Sequence, residues 1–476
     1  MLSATVPTDL HGNPVSGTGD EIARYDAAID RLLRYHPDVV TVMTSLAEDA
    51  PDFAMGQLLV GYLSLTSTDT PDVDAARGAL GQLRHLELNE REAAHRAALD
   101  AWVDGDWHGT ARHLDDLLIR WPADLLALLV GHQLDFFVGD AANLRDRIGR
   151  SLHAIDPEHP HHAFVRGMFA FGLEESGHYQ QAEQHGLAAL DVNPDDVWAV
   201  HAVAHTYEMR GLVDTGIHFM RSREGDWGDD NLFTVHNWWH LALFLLEAER
   251  VQDALRIYDD RVHHSESARV PLEMLDASSL LWRLHLDEID VGGRFSLLAD
   301  DWSSRTNDPP WYVFNDLHAV MALAGAGRPD DARTVVERLA RYVATAPEPE
   351  RSNVVMTATI GLPACRALIA FGEGRHHDVL TDLLPIRATL ARAGGSHAQR
   401  DVLQRTALTA AIRSGELDLA RALASERLAT RATSVYSLRR LADIHRRRHD
   451  DVAARATDGT AAALRDRFAR AVDPMA

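Results

Sequence analysis

Lysine is missing from the 476-residue sequence, so all 47 of its basic residues are arginine. Chemistry that needs a side-chain amine is therefore excluded, which removes Schiff-base catalysis, a pyridoxal-phosphate anchor and the lysine of a phosphate-binding loop. The one cysteine, Cys365, cannot form an internal disulfide, and its apolar neighbours Leu362 and Leu368 predict a small buried side chain rather than a nucleophile. This cysteine content fits a reducing compartment.

Positive charge is also scarce, because 71 acidic residues outweigh the 47 arginines and give a net charge of −24. A field of that sign repels phosphate backbones and anionic lipid surfaces, so we expect no nucleic acid and no membrane among the partners. The first residues lack a basic start followed by an apolar stretch, and no apolar run of about 18 residues is expected. We therefore expect a cytoplasmic protein. The abundance of Ala, Asp and Arg is typical of GC-rich bacterial genomes.

Turn-forming residues recur at a spacing of about 34 residues, which is typical of helical-hairpin repeats. Pro122, Pro157 and Pro194 are 35 and 37 residues apart, and each introduces an apolar stretch. A second series consists of glycines that would end the first helix of each hairpin: Gly105, Gly139, Gly177, Gly211, Gly327, Gly374 and Gly415. Small residues stand five positions after several of these turns, where a second helix would begin to pack: Ala182, Gly216, Ala332 and Ala420, with Ala254 five positions after Glu249, which replaces the glycine.

These repeats predict an all-α fold, a tetratricopeptide-like α-solenoid of degenerate helical hairpins that curls around an interior pocket. A single hairpin of this kind cannot bury its apolar face, whereas hairpins stacked in series form a continuous core. Strand signals are nearly absent, since the Val-rich stretches lie inside Ala/Leu helical patterns. We predict N-terminal lead and capping helices over residues 1–90, the hairpin array over 91–430 and C-terminal capping helices over 431–476.

Two neighbouring units carry histidines where a plain hairpin array would have apolar residues. In VWAVHAVAHTYEM, His201, His205 and Glu208 lie at i, i+4 and i+7, which places them on one helix stripe at about 0°, 40° and −20°. In LFTVHNWWHLALFLLE, His236 and His240 repeat the i, i+4 spacing. Counted from their turns, the two pairs differ by about one helical turn, so we expect four imidazoles and a carboxylate to converge.

Three interpretations of these histidines remain open. They are packing residues whose ring nitrogens bond to neighbours, or ligands of a metal such as zinc, or acid–base and binding groups of a metal-free polar pocket. The HxxxH pairs place two ligands on one helix face, but the HExxH motif of metalloproteases is missing. The repetition in successive units favours the metal-free pocket. No residue is therefore assigned to a metal, and zinc is the cofactor that the second interpretation would need.

Further polar residues fall inside later predicted helices. Arg283 lies with Asp276 in EMLDASSLLWRLHLD, and a buried arginine needs an anionic partner, either a protein carboxylate or the carboxylate or phosphate of a ligand. Seven of the ten tryptophans lie between positions 198 and 311, where they either fill the core or line a cleft. The remaining polar residues of these segments are Asn315, Asp316, His318, Ser396, His397, Gln399, Arg400 and Asp401.

Eight motifs, in one order along nearly the whole chain, resemble the motif series of the tetratricopeptide repeat protein 38 family. They are HAVAHTYEMRG, HNWWHLAL, IYDD, SSLLWRL, FNDLHAVM, GLPACRAL, LLPIRATL and GGSHAQRD, and the resemblance begins near DLHGNPVSGTGDE. It implies a helical solenoid of degenerate repeats without an assigned activity. The residues at matching motif positions are His201, His205, Glu208, Met209, His236, Asn237, His240, Asn315, Asp316, Gln399, Arg400 and Asp401. Asn can occupy the place of His397 in the family pattern, which argues against His397 as an obligatory acid, base or ligand.

The leading functional hypothesis is an enzyme-like interior His/Asp/Arg pocket that binds a small polar molecule and acts on it by acid–base or metal-assisted chemistry. In this hypothesis His205 or His240 moves protons. Glu208 or Asp316 orients an imidazole, and Arg400 together with Arg283 holds an anionic group of the ligand. The candidates for ligand binding are His201, His236, Asn237, Trp238, Arg283, Asn315, His318, His397, Gln399, Arg400 and Asp401. The alternative is a protein-interaction scaffold that binds a peptide or helix in its concave groove, and a protein partner or homo-oligomer fits either hypothesis.

Overall fold

The chain forms helices and turns throughout the part that the computed structural model describes, residues 6–472. These residues contain 26 α-helices and no β-strand, apart from an isolated bridge between Thr8 and Pro14. The all-α prediction is confirmed. Consecutive helices pack against each other as hairpins, whose first and second members are named A and B.

The helices follow one another along the chain in three groups. The first group is α1 (Gly19–Leu33), α2 (Val39–Asp49), α3 (Ala54–Thr66), α4 (Asp72–Leu83), α5 (Glu90–Val103), α6 (Trp107–Arg120), α7 (Leu125–Val138) and α8 (Ala141–Ser151). The second is α9 (Pro160–Glu175), α10 (Tyr179–Leu190), α11 (Val197–Met209), α12 (Val213–Ser222), α13 (Glu224–Trp227), α14 (Thr234–Glu247), α15 (Val251–Ile257), α16 (Pro271–Leu286) and α17 (Arg294–Ser303). The third is α18 (Val313–Gly325), α19 (Pro329–Thr345), α20 (Ser352–Met356), α21 (Leu362–Gly372), α22 (His376–Leu383), α23 (His397–Ser414), α24 (Leu417–Thr430), α25 (Val435–Arg447) and α26 (Asp451–Val472).

Left-handed residues end the A helices, as the glycine series predicts. All seven turn glycines have φ between 67° and 84°, a region in which side chains with a Cβ are strained. Glu249 adopts the same conformation, with φ of 58°, at the turn that lacks glycine. The small residues five positions after these turns are buried at the contact between the two helices: Ala182, Gly216, Ala254, Ala332 and Ala420.

The array closes on itself, because segments far apart in the sequence meet around one interior. Helix α26 packs against α12, and α23 packs against α16. The Tyr312 hydroxyl donates a hydrogen bond to the Phe137 carbonyl at 3.2 Å, across 175 positions of sequence. The A helices are therefore covered on both sides, and in α11 every residue from position 197 to 207 is buried. The inner side of the solenoid is largely filled by the protein's own side chains.

One helical stretch, Ser352–Gly372, is long and apolar enough to cross a membrane, with a mean hydropathy of 1.8. This corrects the sequence-based expectation that no apolar run has such a length. Within its most apolar part 67% of the residues are buried inside the molecule, as in the core helix of a soluble protein. Cys365 lies in this stretch and is fully buried. Burial raises the pKa of its thiol, so Cys365 is an inert core residue, as predicted.

The predicted domain boundaries fall close to helix ends. Helix α24 ends at Thr430, and α5 begins at Glu90. Helices α3 and α7 pack across the first boundary, and α12 and α26 pack across the second. A division into separate units therefore stays a prediction.

Candidate functional site

Four histidines from two adjacent A helices converge inside the molecule, as their spacing predicts. Helix α11 begins after Asp196, whose carboxylate accepts hydrogen bonds from two backbone N–H groups of the first turn. One ring nitrogen from each of His201, His205, His236 and His240 lies within 4.8 Å of those of the other three. The Nε2 of His236 is 3.2 Å from the Nε2 of both His201 and His240. These four residues are called the four-histidine cluster.

Carboxylates on neighbouring helices fix the orientation of two of these rings. The Asp276 carboxylate of α16 lies 2.7 Å from Nδ1 of His236, and the Glu208 carboxylate lies 3.3 Å from Nδ1 of His240. A carboxylate accepts these hydrogen bonds, so the Nδ1 of each ring donates and the two Nε2 atoms point into the cluster. Burial alone would raise the pKa of Glu208, but the hydrogen bond from His240 and the charge of Arg431 outweigh it and lower this pKa.

His205 and Glu174 form a buried contact whose polar atoms are not satisfied. The Glu174 carboxylate lies 3.5 Å from Nδ1 of His205, and both side chains are fully buried. Within residues 6–472, neither ring nitrogen of His205 and neither carboxylate oxygen of Glu174 has a hydrogen-bond partner. Burial, reinforced by Glu175 and Glu208, raises the pKa of Glu174 well above its usual value. An unpaired buried polar group costs about 1–3 kcal/mol, which favours a ligand or ion that supplies the missing partner.

Three of the four imidazoles are deeply buried. His201, His205 and His240 are at most 2% exposed, whereas the His236 side chain is 14% exposed. Burial, and then the neighbouring imidazoles, lowers the pKa of His201 and His205 well below the usual value. Burial also lowers the pKa of His240, although the hydrogen bond to Glu208 opposes this shift. Neutral imidazoles serve as metal ligands, hydrogen-bonding groups or bases.

A cleft lined by charged residues lies directly beside the cluster and shares Glu208 with it. It has a volume of about 470 Å³, and its charged residues are Glu208, Glu247, Arg283, Asp401, Arg405 and Arg431. We call it the arginine cleft. One oxygen of Glu208 faces His240, and the other lies 3.3 Å from the guanidinium of Arg431. Glu208 therefore connects the cleft to the cluster.

Arg283 is the arginine of this cleft whose charge is not matched by an acid. Its buried guanidinium donates hydrogen bonds to the carbonyls of Ser279, at 3.0 Å, and Ala398, at 2.6 Å. Among the described residues, no carboxylate forms an ion pair with it, whereas Arg405 pairs with Asp401 at 2.7 Å. Burial and then the charge of Arg405 lower the pKa of Arg283 to about 10. The cleft is lined by three acids and three arginines, and among the described residues Arg283 is the one of these arginines that forms no ion pair.

Asp316 and Asn315 lie away from the four-histidine cluster, which corrects the expectation that Asp316 orients an imidazole. The Asp316 carboxylate pairs with Arg338 of α19, in the same hairpin. The Asn315 amide donates a hydrogen bond to the Thr68 carbonyl at 3.0 Å. Both residues line a different cleft, with a volume of about 440 Å³. A buried carboxylate needs a cation, and Arg338 on the next helix provides one for Asp316. Asp316 therefore has no need of a distant imidazole.

Arg400 and His397 contact Glu175, whose carboxylate lies within 4.8 Å of a ring nitrogen of His205. The Arg400 guanidinium lies 3.3 Å from the Glu175 carboxylate, and the backbone N–H of His397 donates to the same carboxylate at 2.8 Å. Gln399 forms a capping box with Ser396 at the start of α23. These contacts position α23, and the role of Arg400 in holding an anionic group together with Arg283 stays a prediction.

Asp401 holds the arginine lining of the cleft in place. Its two oxygens pair with Arg405 at 2.7 Å and with Arg427 at 2.6 Å. Burial would raise its pKa, but the charges of Arg427 and Arg405 lower the pKa of Asp401 well below its usual value. Asp401 therefore orients two arginines of the site.

Trp239, and not the predicted Trp238, stands against the cluster. Its ring stacks on that of His236, with 5.2 Å between centroids. Trp238 faces the other way, and its indole N–H donates to the Gly228 carbonyl at 2.9 Å. Successive helix residues are about 100° apart, so one of two adjacent tryptophans has to turn away.

Asn237 and His318 lie close to the site with their own local partners. The Asn237 amide donates to the Val197 carbonyl at 3.2 Å and so ties α14 to α11. His318 donates from Nδ1 to the Phe314 carbonyl at 2.8 Å, and its buried Nε2 has no partner among the described residues. Burial lowers the pKa of His318 to about 4, and the charge of Arg283 acts in the same direction.

Sequence reasoning missed several charged residues of the site. They are Glu174, Glu175, Arg405 and Arg431. The available signal for two of them was the segment FAFGLEESG, in which paired acids end an apolar helix directly before a turn. Arg431 lies in the connection between α24 and α25, where no helical periodicity marks it.

A second, smaller group of histidines lies between the N-terminal segment and the start of α9. The Nε2 of His11 is 3.0 Å from Nδ1 of His161, whose Nε2 is 3.2 Å from the Asp30 carboxylate. The Nδ1 of His159 accepts a hydrogen bond from the backbone N–H of His161 at 3.1 Å. This group is separate from the four-histidine cluster. It offers a place for a control substitution.

The comparisons with known proteins reach only the level of the fold. No family model matches the chain. Human IFIT1, solved as a dimer with PPP-AAAA, is similar at 13% identity over 94% of this chain and 96% of that chain, with a TM-score of 0.40. The Cut9–Hcn1 hetero-tetramer of the APC/C gives 11% identity, 96% of both chains and a TM-score of 0.34. Yeast Tom70 gives 13% identity, 95% of this chain, 94% of that chain and a TM-score of 0.34.

The chain is a tetratricopeptide-like solenoid. This conclusion rests on the helical hairpins of the chain, on the residues with positive φ at their turns and on the small buried residues of their second helices. The solenoid brings the two HxxxH pairs together with residues of α9, α16 and α23, which lie up to 225 positions apart in the sequence.

Proposed function

We propose that the solenoid binds a small anionic molecule, carrying a carboxylate or a phosphate, in the arginine cleft beside the four-histidine cluster. The observation that carries this proposal is Arg283, a buried guanidinium that donates only to backbone carbonyls. A buried charge without a counter-ion is expensive, and an anionic ligand group would remove that cost. Guanidinium groups also match the planar geometry of carboxylates and phosphates.

The neighbouring groups support the same ligand class. Arg405 and Arg431 also line the cleft. The ring nitrogens of His205 and His240 face other imidazoles and carboxylates. The geometry therefore supports binding more directly than proton transfer by these two residues, which stays a hypothesis from the sequence.

Calorimetric titration of the purified protein tests this proposal, with inorganic phosphate and succinate as probes and sodium chloride at equal ionic strength as the reference. We expect one of the two anions to bind, and Arg283→Gln to weaken that binding at least tenfold. The matched control is Arg413→Gln, because Arg413 is partly buried and pairs with Glu288 outside the cleft. Equal binding by wild type and Arg283→Gln, or no binding of either anion, would contradict the proposal.

Failure of both anions would favour the alternative function, a scaffold for a protein partner. Stacked helical hairpins commonly serve this purpose. In this solenoid the A helices are buried, so we propose that such a partner, or a second copy of the chain, would contact the exposed B helices and turns. Co-purification followed by cross-linking of those surfaces would test it.

Other proposals rest on the sequence alone. We propose membership of the tetratricopeptide repeat protein 38 family, because the motifs around His201, His236 and Arg283 supply residues of one site. The net charge of −24 supports a role without nucleic acid or membrane. The composition supports a bacterial, cytoplasmic protein.

A further inference from the structure

We propose that His201, His205, His236 and His240 together bind one divalent transition-metal ion, with zinc as the best match. This inference goes beyond the proposed anion binding and does not depend on it, because the metal would occupy the cluster and not the arginine cleft. In this proposal His205 and His240 are ligands and not proton carriers.

The spacing of the nitrogens fits a tetrahedral ion. Zinc–nitrogen bonds of about 2.0–2.1 Å place neighbouring ligand nitrogens of a tetrahedron about 3.3–3.4 Å apart. The Nε2 of His236 lies 3.2 Å from Nε2 of both His201 and His240. The ligand atoms of all four residues lie within 4.8 Å of one another, so small rotations of the rings complete the set.

The orientation of the rings gives a second argument. Asp276 and Glu208 face Nδ1 of His236 and His240, so the Nδ1 of each ring donates to a carboxylate and Nε2 points into the cluster. The two Nε2 atoms lie 3.2 Å apart. A cation placed between them would accept a lone pair from each ring. A cluster that served only for packing would satisfy its ring nitrogens instead.

The surroundings match those of metal-bound histidines. Such ligands usually donate their second N–H to a carboxylate or carbonyl, which fixes the tautomer and strengthens the ligand. The cluster has two such carboxylates, Asp276 and Glu208, and the second oxygen of Glu208 also pairs with Arg431. His205 adds two buried ring nitrogens without partners among the described residues. His236 is partly exposed and provides an entry path.

The donor set selects the class of metal. Four neutral imidazoles suit zinc, copper, nickel or iron, whereas magnesium and calcium require oxygen ligands. Four protein ligands also leave no open coordination position, so the ion would be structural and would tie α11 to α14. Loss of the ion would lower the stability of the hairpins that begin with α11 and α14. Helix α11 carries Glu208, which lines the arginine cleft.

Metal analysis of the chelator-treated protein tests this inference. After dialysis against zinc, wild type should retain about one tightly bound zinc, and its melting temperature should rise with zinc and not with magnesium. His236→Gln should lose this ion and the rise in melting temperature. The matched control is His161→Gln in the smaller histidine group, which should retain both. Cobalt in place of zinc should give the strong visible bands of tetrahedral coordination in wild type and in His161→Gln.

Three results would overturn the inference: no tight zinc in wild type, equal zinc in His236→Gln, or loss of zinc only in His161→Gln. If His236→Gln does not fold by circular dichroism, Asp276→Asn decides the question, because it keeps all four imidazoles. We expect Asp276→Asn to bind zinc 10–100-fold more weakly, as for other partners of metal ligands. Unchanged zinc affinity in that variant would count against the site. Titration with phosphate is a separate measurement, so anion binding and metal binding can fail independently.

Discussion

The guanidinium of Arg400 on α23 lies 3.3 Å from the carboxylate of Glu175 at the end of α9, although 225 positions separate them in the sequence. Both side chains are buried, at 9% and 3% exposure. The pair joins the C-terminal half of the solenoid to the N-terminal half. Arg400 therefore contributes to the closure of the array.

Loss of one member of this pair should destabilise the protein strongly. Arg400→Met leaves the Glu175 carboxylate buried without its cation, for which we expect a loss of about 3–5 kcal/mol in the free energy of unfolding. The double variant Arg400→Met with Glu175→Gln should recover about 1–3 kcal/mol of that loss. Urea unfolding of Arg400→Met, Glu175→Gln and the double variant measures the coupling energy. Additive losses in the free energy of unfolding would show that the two groups do not interact.

Arg283 should behave in the opposite way. Since no carboxylate among the described residues pairs with it, Arg283→Met removes an uncompensated buried charge, and the free energy of unfolding should stay equal or rise. The matched control is Arg147, which is fully buried and pairs with Asp135 at 2.7 Å and with Asp115 at 2.9 Å. Arg147→Met should lose about 3–5 kcal/mol. Similar losses in both variants would show that Arg283 has a structural counter-charge.

Acid should destabilise the protein through its buried histidines. Burial lowers the pKa of His132 to about 3, whereas the unfolded chain titrates near 6.5. Below pH 6.5 the imidazole is protonated in the unfolded state but not in the folded state. The free energy of unfolding therefore falls as the pH falls, by about 1.4 kcal/mol per pH unit for this residue. Urea unfolding between pH 6.5 and 4 should show a shallower pH slope in His132→Leu. Parallel slopes for the variant and wild type would exclude this contribution.

Two turn glycines with similar backbones should differ in their tolerance of alanine. Gly139 and Gly177 have φ of 69° and 79°, so alanine costs about 1–2 kcal/mol in either turn. A Cβ at Gly139 would also lie 1.7 Å from the Ala391 carbonyl oxygen, whereas no atom lies within 4 Å of a Cβ at Gly177. Gly139→Ala should therefore lower the melting temperature clearly more than Gly177→Ala. Equal shifts would mean that the segment around Ala391 moves freely.

The local features of the fold could be predicted from the sequence. Gly177 and Gly211 end A helices with positive φ, and the i, i+4 pairs at His201 and His236 share one interior. These predictions depend on helix geometry over a few residues. The same geometry predicted that the four imidazoles converge, because two successive repeats place equivalent positions on similar helix faces.

The partners of the late charged residues could not be predicted in this way. Arg400 meets Glu175 and Asn315 meets Thr68 only because the superhelix closes, and helical periodicity carries no information on that curvature. The prediction for Asp316 was wrong for a different reason. Its cationic partner, Arg338, lies on the second helix of the same hairpin. The predicted convergence of the four histidines is therefore confirmed, the predicted contact of Asp316 with an imidazole is wrong, and the pocket itself stays a prediction.

The contact between α12 and α26 gives this solenoid a mechanical property that an open array lacks. An open array behaves as a one-dimensional chain, in which a terminal repeat frays without disturbing the repeats beyond its neighbour. Here the last described hairpin is also a neighbour of a central one, so its detachment exposes core on two sides at once. We expect unfolding in a single cooperative transition, and we expect truncation of α26 to weaken the hairpin that carries His201 and His205.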